Sequence, residues 1–579
     1  MLLFVQAWAH PFTSSVGYRG DAELFMWFFS WDRFALAHGL NPVFTTYIDY
    51  PAGVNLMANT SMPLVGTLLS PITSIFGPVL TYNTVETLGL ALSASSAYLL
   101  IRRHVASHLA AGLGGLLYGF SPWILGESLG HSHVTMAFLP PIIFIVLEEA
   151  VIRQSRRPLP IGVLLGVLAA AQALIAEEVL AMTAIVALLA IGLLAGTHPG
   201  QVRVRRDYAL QVFGIATLTL ILLAGPAVVF QFLGPQAIHD RAHGPNFWVS
   251  DLLSFVVPTR LQWLTLPPLL TLRDRLTGTL FESSNYFGIP LIALLVFTSW
   301  RWWSDTRVRV VALVGLLVAM LSLGVTIHAA GQYTLIPVAV LALAFPLFRR
   351  VLPGRLLLYE FLIAWVAMAQ VPLLTNMLPV RLTLFVFLMA GVLLAVFVDH
   401  AIRGQAFSSR LMVGALAVLA LAPLFPRLPY PATPVDIPAF FTDAGIPDAS
   451  VAVIFPFVDS THKAPLLWQA QSGMRFKMPE GYAFVPGGRG NVDPPPSATR
   501  AAGLAIDGGA DPAGFPAGIK DQMLRELKAW HVRTVIVGPM QNQARMVAFI
   551  TGVLAREPLQ TRGVYAWEGL DPASSYELR

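Results

Sequence analysis

Apolar runs close to the length of a membrane span recur along the first 425 positions. They cover residues 80–103, 107–124, 133–152, 159–176, 178–196, 208–231, 285–302, 308–327, 331–348, 355–373, 380–399 and 411–425. A helix needs about 20 apolar residues to cross the hydrocarbon layer, and in that layer it satisfies its own backbone groups. The pattern therefore predicts about 13 transmembrane helices if residues 1–10 begin one. Residues 1–9 are short for a span, and no basic segment precedes them as in a signal peptide; we read a first helix whose cytoplasmic end is short or missing. Residues 62–79 are apolar but interrupted by Pro63, Pro71 and Pro78. They are expected to lie at the interface or re-enter it, since a span there would invert every later loop.

The polar breaks set the orientation. Arginines follow alternate runs: Arg102-Arg103, Arg153 with Arg156-Arg157, Arg203 with Arg205-Arg206, Arg301 with Arg307 and Arg309, Arg349-Arg350, then Arg403 and Arg410. Alternation through the runs places all these clusters on one side, which the positive-inside rule makes the cytoplasm. The other side then receives the large first loop 11–79, the turn Gly126–His133, Glu177, the long loop 232–284, the turn 374–379 and everything beyond 430. After Pro431 the pattern changes: Val451–Phe457 reads as a strand, Lys520–Trp530 as an amphipathic helix, Val532–Val537 as a strand, Gln541–Ala555 as a helix and Val564–Trp567 as a last strand. Residues 486–516, rich in Gly, Pro and Ala, read as a loop. The expected architecture is a polytopic all-α membrane domain over 1–430 and a C-terminal extracytoplasmic α/β domain over 431–579.

Composition supports this class. The 579 residues are 55% apolar and 12% charged, about half the charge of an ordinary soluble domain. The absence of cysteine excludes disulfides and thiolate metal sites. A net charge of +5 reports loop topology here and does not point to nucleic acid. The Ala- and Arg-rich usage has a bacterial look, and the plasma (inner) membrane is the expected location.

The chemistry-bearing residues gather on the side opposite the arginines. Asp21 follows Gly20 and opens an aromatic run through Leu24, Phe25, Trp27, Phe28 and Trp31; it reads equally as a helix N-cap and as a catalytic carboxylate. Asp49, in Tyr-Ile-Asp-Tyr-Pro, reads as a turn aspartate. Glu127, His131 and His133 fall within one short loop and are ordinary ligands for a divalent cation, although loop histidines bonded to backbone account for them as well. Glu177-Glu178 stand at a helix junction between apolar stretches, where two carboxylates cannot both face lipid cheaply. Arg381 stands at the outer end of a run, against the charge trend. It either snorkels to headgroups or grips a substrate phosphate with its planar fork. Arg260 and the Arg273-Asp274-Arg275 cluster belong to the long outer loop, where a solvated surface explains them equally. In the C-terminal part Trp468, Arg475, Lys477 and Tyr482 interleave aromatic and cationic groups, as core and rim positions do and as sugar-stacking faces also do.

A long first outer loop carrying Gly20-Asp21 just after the first span, juxtamembrane amphipathic helices, paired helical hairpins and an outer α/β domain together resemble the GT-C superfamily of multipass membrane glycosyltransferases. That resemblance implies transfer of a sugar from a polyprenyl-phosphate donor to an extracytoplasmic glycan, lipid or protein acceptor. It implies a catalytic acidic residue in the first outer loop, here Asp21, acting as base with inversion at the anomeric carbon. Arg381 or Arg260 would stabilise the departing phosphate. Asp49, Glu127, His131, His133, Glu177 and Trp468 are the remaining expected substrate contacts. No cofactor is required by the sequence, while a divalent cation suits the Glu127, His131, His133 group. The expected partners are membrane lipid, the prenyl-linked donor and a glycan or glycolipid acceptor. Two other classes remain open at this point: a transporter or flippase of lipid-linked saccharides, and a non-enzymatic scaffold of envelope glycan synthesis. Neither the inverted repeats common in transporters nor many mid-span polar residues are visible.

Overall fold

The computed structural model describes residues 2–239, 244, 246–348, 353–403, 407–443, 446–487 and 497–570. Among them, six helices are long and apolar enough to cross a membrane: Pro63–Arg102, His108–Glu127, Ser132–Arg153, Glu177–Thr197, Pro199–Leu233 and Pro379–Ile402. Shorter apolar helices cover Pro158–Ala173, Ile289–Arg301 and Leu411–Leu424. The expected run 1–10 holds just the five-residue helix Val5–Ala9, so it supplies no span among the described residues.

Residues 62–79 are helical from Pro63, and at Gly77 (φ 81°, ψ 171°) that helix meets, across a kink, a second one that continues to Arg102. A residue at that φ is comfortable only without a Cβ, so the break falls at the glycine beside Pro78. The run 331–348 is not a spanning helix. Thr326–Ala329 pairs antiparallel with Gln332–Pro337, and the chain continues in a helical turn at Ala339–Ala342 and a tighter one at Phe345–Phe348. Gly331 turns the hairpin at φ 77°. The pair Arg349-Arg350 lies outside the described residues.

The chain divides into two compact units. The first comprises Met1–Val5, Val85–Gly225 and His243–Tyr430; the second comprises Gln6–Thr84, Pro226–Ala242 and Pro431–Arg579. In the first unit the Thr383–Ile402 helix is the axis, buried along almost its whole length. It meets the His108–Gly119 helix at two glycines. A Cβ on Gly114 would stand 2.4 Å from the Gly391 carbonyl oxygen, and one on Gly391 would stand 2.6 Å from that of Gly114. Backbones approach this closely only where side chains are absent.

The second unit contains a four-stranded sheet in the order Val451–Phe455, Val532–Val537, Val564–Trp567, Leu559–Thr561. The first pair is parallel and the others are antiparallel. Helices Ile519–Ala529 and Gln543–Leu554 pack Met523, Leu527, Met546 and Ile550 against Val453, Val535 and Trp567. The expected strands and helices are present here, with Leu559–Thr561 added. The stretch read as a loop over 486–516 contains the helix Ala498–Asp507, while residues 488–496 lie outside the described set. The aromatic helix Asp21–Ala37 belongs to this unit. It is not amphipathic as expected: Trp27, Phe28, Phe29 and Trp31 lie on different sides of it and are all buried. It packs along Ala464–Gln471, where Trp27 Nε1 donates to Gln469 Oε1 at 2.6 Å.

Candidate active site

Within the first unit, the ends of several helices converge on a buried ionic cluster. Ser121 caps the short helix Pro122–Glu127, its hydroxyl accepting from Ile124 N, and the helix ends on Glu127. A turn follows in which His131 N donates to the Glu127 carbonyl at 2.7 Å. That turn sets His131 one helical turn beyond Glu127, with its Nδ1 2.6 Å from Glu127 Oε2. The next residue, Ser132, donates to Glu86 Oε1 at 2.5 Å. Glu86 stands inside the long apolar Pro63–Arg102 helix and is fully buried.

Arg381 enters from a tight turn, Pro379–Leu382, just before the axial helix. It is 8% exposed. Its Nη1 donates to Glu178 Oε2 and its Nη2 to Glu282 Oε1. Nε adds a contact to Glu282 Oε1 at 3.1 Å. His133 Nε2 lies 3.3 Å from Arg381 Nη1, and because a guanidinium can only donate, that nitrogen is the acceptor. Glu178 belongs to the first turn of Glu177–Thr197 and also accepts from Leu378 N at 2.7 Å. Glu282 comes from the long loop, whose backbone is held by the buried Arg273 donating to the Ser283 carbonyl. Burial alone would raise Glu282, but the Arg381 guanidinium and His131 beside it, with hydrogen bonds, hold it below the ordinary carboxylate range.

Four carboxyl groups thus face one guanidinium and two imidazoles. Glu127 and Glu282 are close: one ligand atom from each of Glu127, His131 and Glu282 falls within 4.8 Å of the others. Glu127 Oε1 is buried and has no hydrogen-bond partner. Two carboxylates this near one another either share a proton or share a cation. Oxygen, nitrogen and oxygen donors around one point suit a divalent metal such as zinc or manganese. The cation group expected from sequence is therefore corrected in one member, since Glu282 stands with Glu127 and His131 while His133 turns to Arg381.

The structure thus brings together Arg381, Glu127, His131 and His133. Of the glutamate pair, Glu178 reaches Arg381 in place of Glu177. Sequence reading missed Glu86 and Glu282. A lone carboxylate in an apolar helix was the available signal for Glu86; Glu282, in an aperiodic loop, carried none. Arg260 is exposed and pairs with Asp274 at 2.6 Å, which is a surface arrangement. Trp468 is 3% exposed, stacked on Phe441 at 5.1 Å, and donates to the Asp436 carbonyl. It is a packing residue that presents no face to a sugar.

Asp21 and Asp49 lie in the second unit. The helix that Asp21 opens has Gly20, not Asp21, as its N-cap residue, and Glu23 Oε2 accepts from Gly20 N at 3.3 Å. The Asp21 carboxylate instead pairs with Lys463 Nζ at 2.6 Å. Lys463 is buried and sits 4.0 Å over the Tyr482 ring. Asp49 takes a left-handed turn conformation (φ 49°), accepts from Gly53 N and is buried beside Glu480. Burial pushes Asp49 up to about 7, against a pull from Arg500. Burial also pushes Glu480 up to about 8, with Asp49 adding to the rise and the Ile454 N–H opposing it.

Residues 16–350 match the family model described as Domain of unknown function (DUF6311). No curated protein matches the chain. Among solved structures, similarity extends to the arabinofuranosyltransferase AftD from Mycobacteria, at 13% identity over 98% of this chain and 39% of that one, with a TM-score of 0.49. The Archaeoglobus fulgidus oligosaccharyltransferase, in a complex with Zn and sulfate, matches at 14% identity over 93% of this chain and 66% of that one, with a TM-score of 0.49. ArnT from Cupriavidus metallidurans, bound to undecaprenyl phosphate, matches at 10% identity over 100% and 97%, with a TM-score of 0.45. The chain thus spans less than two thirds of the length of the first two.

Proposed function

We propose that this chain, which belongs to the DUF6311 family, is a multipass membrane glycosyltransferase that moves a sugar from a polyprenyl-phosphate donor to an extracytoplasmic acceptor. The observation that carries this reading is the buried cluster of Glu127, His131, Glu282, Arg381 and Glu178 at one end of apolar helices. Buried ionisable groups at membrane depth are costly and mark sites of binding or chemistry. The arginine-rich breaks follow the opposite ends of the same helices, so the cluster is assigned to the outer surface.

A lipid phosphate leaves as an anion and needs positive charge, not a general acid. Arg381 alone does not supply it, because two carboxylates already take up its donors. Glu127, His131 and Glu282 would hold a divalent cation, which would supply Lewis-acid stabilisation of phosphate oxygens. Arg381 orients Glu178 and Glu282, and His131 holds one oxygen of Glu127, leaving the other to bind. The base for the acceptor hydroxyl is assigned to Asp21 on the strength of the sequence resemblance, and direct displacement gives inversion.

The test is sugar transfer in membranes offered pooled native prenyl-phosphate sugars, comparing wild type with Glu127→Gln, Glu282→Gln and Asp21→Asn at matched expression. Loss of about a hundredfold or more is expected for a base or a cation ligand. Full transfer by both glutamine variants overturns the cluster as the active site. Full transfer by Asp21→Asn removes Asp21 as the base and leaves Glu127 as the carboxylate to examine.

A further inference from the structure

A cavity of about 240 Å³ lies at the opposite end of the axial helix, within the first unit. The Glu177–Thr197, Thr306–Ser322 and Thr383–Ile402 helices line it, with Leu100, Phe144 and Leu147 contributing to its wall. The wall is apolar, with Val186, Ile191, Val311, Val314 and Val392 prominent. The polar groups reach it at one end, from His104, Glu148, Asp305, Arg307, Asp399 and His400.

The charges at that end are unequal. Glu148 accepts from both Arg103 Nε (2.8 Å) and Arg153 Nε (2.7 Å). Arg307 pairs with Asp305 and Arg403 with Asp399, both at 2.9 Å. Four guanidiniums share three carboxylates, and the side chains of Arg153, Arg307 and Arg403 are 44%, 61% and 59% exposed. Asp399 is further committed, accepting from Ala106 N and Ser107 N. This end therefore carries spare cationic capacity on accessible side chains.

The shape limits the occupant. A cavity walled by valine and isoleucine offers water no partners, and an empty one forfeits dispersion contacts. Sugars or nucleotides would bring polar groups against that wall unpaired. The volume is below the range of about 300–1,000 Å³ usual for drug-sized ligands, so it suits a stretch of hydrocarbon chain. A molecule with one such chain and a phosphate at its end would satisfy both the wall and the arginine rim.

We propose that this cavity is a binding site for an anionic glycerophospholipid, with an acyl chain between the helices and the headgroup phosphate on Arg153 and Arg307. The site is separate from the cluster at Glu127 and does not depend on transfer activity. It makes the arginine-rich end a lipid-selective seat and not just a topology signal.

The full-length protein, purified in mild detergent and delipidated, would be offered phosphatidylglycerol and phosphatidylcholine of matched chains and weighed by native mass spectrometry. Wild type is expected to retain phosphatidylglycerol preferentially. Arg153→Gln with Arg307→Gln should cut that preference by about fivefold for each guanidinium lost. Ala190→Trp, which fills the cavity, should abolish retention of both lipids. A tryptophan in a helix interface can prevent folding, so the exposed arginine pair forms an independent arm. In that arm phosphatidylglycerol raises the thermal midpoint of wild type and leaves that of the double variant unchanged. Equal retention of the two lipids by wild type overturns the proposal. So does undiminished preference in the double variant, or undiminished retention by a folded Ala190→Trp protein.

Discussion

Replacing Arg381 by Met keeps most of the side chain's length and removes its charge. In the native protein the guanidinium donates to Glu282 and Glu178, whose side chains are 3% and 18% exposed. The substitution leaves both carboxylates without their cation. Removing one partner of a buried pair costs about 3–5 kcal/mol, because the remaining charge stays desolvated. At an unfolding entropy of about 2.1 cal/mol/K per residue, a chain of 579 residues shifts its midpoint by about 0.8 °C for each kcal/mol. The expected fall is therefore about 2–4 °C in the thermal unfolding of the purified protein, measured in chelator so that no metal can substitute for the guanidinium. The reasoning also makes a signed claim about the partner. Glu282→Gln removes one of the stranded charges, so the Arg381→Met, Glu282→Gln protein should be more stable than Arg381→Met alone, with a coupling of about 0.5–3 kcal/mol. An unchanged midpoint in Arg381→Met, or no recovery in the double variant, would refute the assignment of Arg381 as counter-ion of this cluster.

Four more outcomes follow from the same structure. Divalent zinc or manganese should raise the midpoint of wild type, and chelation should reverse this, while Glu127→Gln should respond to neither; calorimetric titration checks the stoichiometry. Gly391→Ala drives a Cβ to 2.6 Å from the Gly114 carbonyl and should cost about 1–3 kcal/mol. Gly414→Ala, which meets nothing within 4 Å, is the control. Asp49 and Glu480, raised to about 7 and about 8 from ordinary values of 3.8 and 4.5, keep protons in the fold that the unfolded chain has already released. Their contribution is therefore full below about pH 4, declines as pH rises towards 8 and is flat above that; Glu480→Gln should flatten the dependence in pH-scanned thermal unfolding. Trp468→Ala should lower stability by about 3–5 kcal/mol without altering sugar preference, as expected of a core aromatic.

The sequence pattern located most of the long apolar helices, because their composition leaves no other way to bury the backbone in lipid. It failed where local composition was ambiguous. Residues 331–348 are apolar enough for a span, but Gly331 turns the chain and Gln332–Pro337 pairs back on Thr326–Ala329 as a hairpin instead, and short apolar runs do not declare their period. In residues 62–79 the helix tolerates Pro71, and the break falls at Gly77 beside Pro78. In the site, Arg381, Glu127, His131 and His133 were legible as polar groups on the less basic side. Glu282 was not, since what gives it meaning is a contact with Arg381 across 99 positions. Asp21 was readable as special, but its partner Lys463 is 442 positions away, and no local pattern encodes such a pairing.

The glycine contact between Gly114 and Gly391 fixes more than a crossing point. With backbone against backbone, the axial helix has little room to slide or tilt relative to its neighbour. It carries Arg381 before its first turn and Asp399 in its last, about 27 Å apart at 1.5 Å per residue. The hydrocarbon core of a bilayer is about 30 Å thick. The axial helix is thus a gauge with a polar mark at each end, and its neighbour prevents it from leaning to fit a thinner membrane. Acyl chain length in the surrounding lipid would therefore set the depth at which Arg381 and its glutamates meet the headgroups. Under the proposed function, membrane thickness, through that fixed length, becomes a control on how readily a lipid-borne phosphate reaches the cluster.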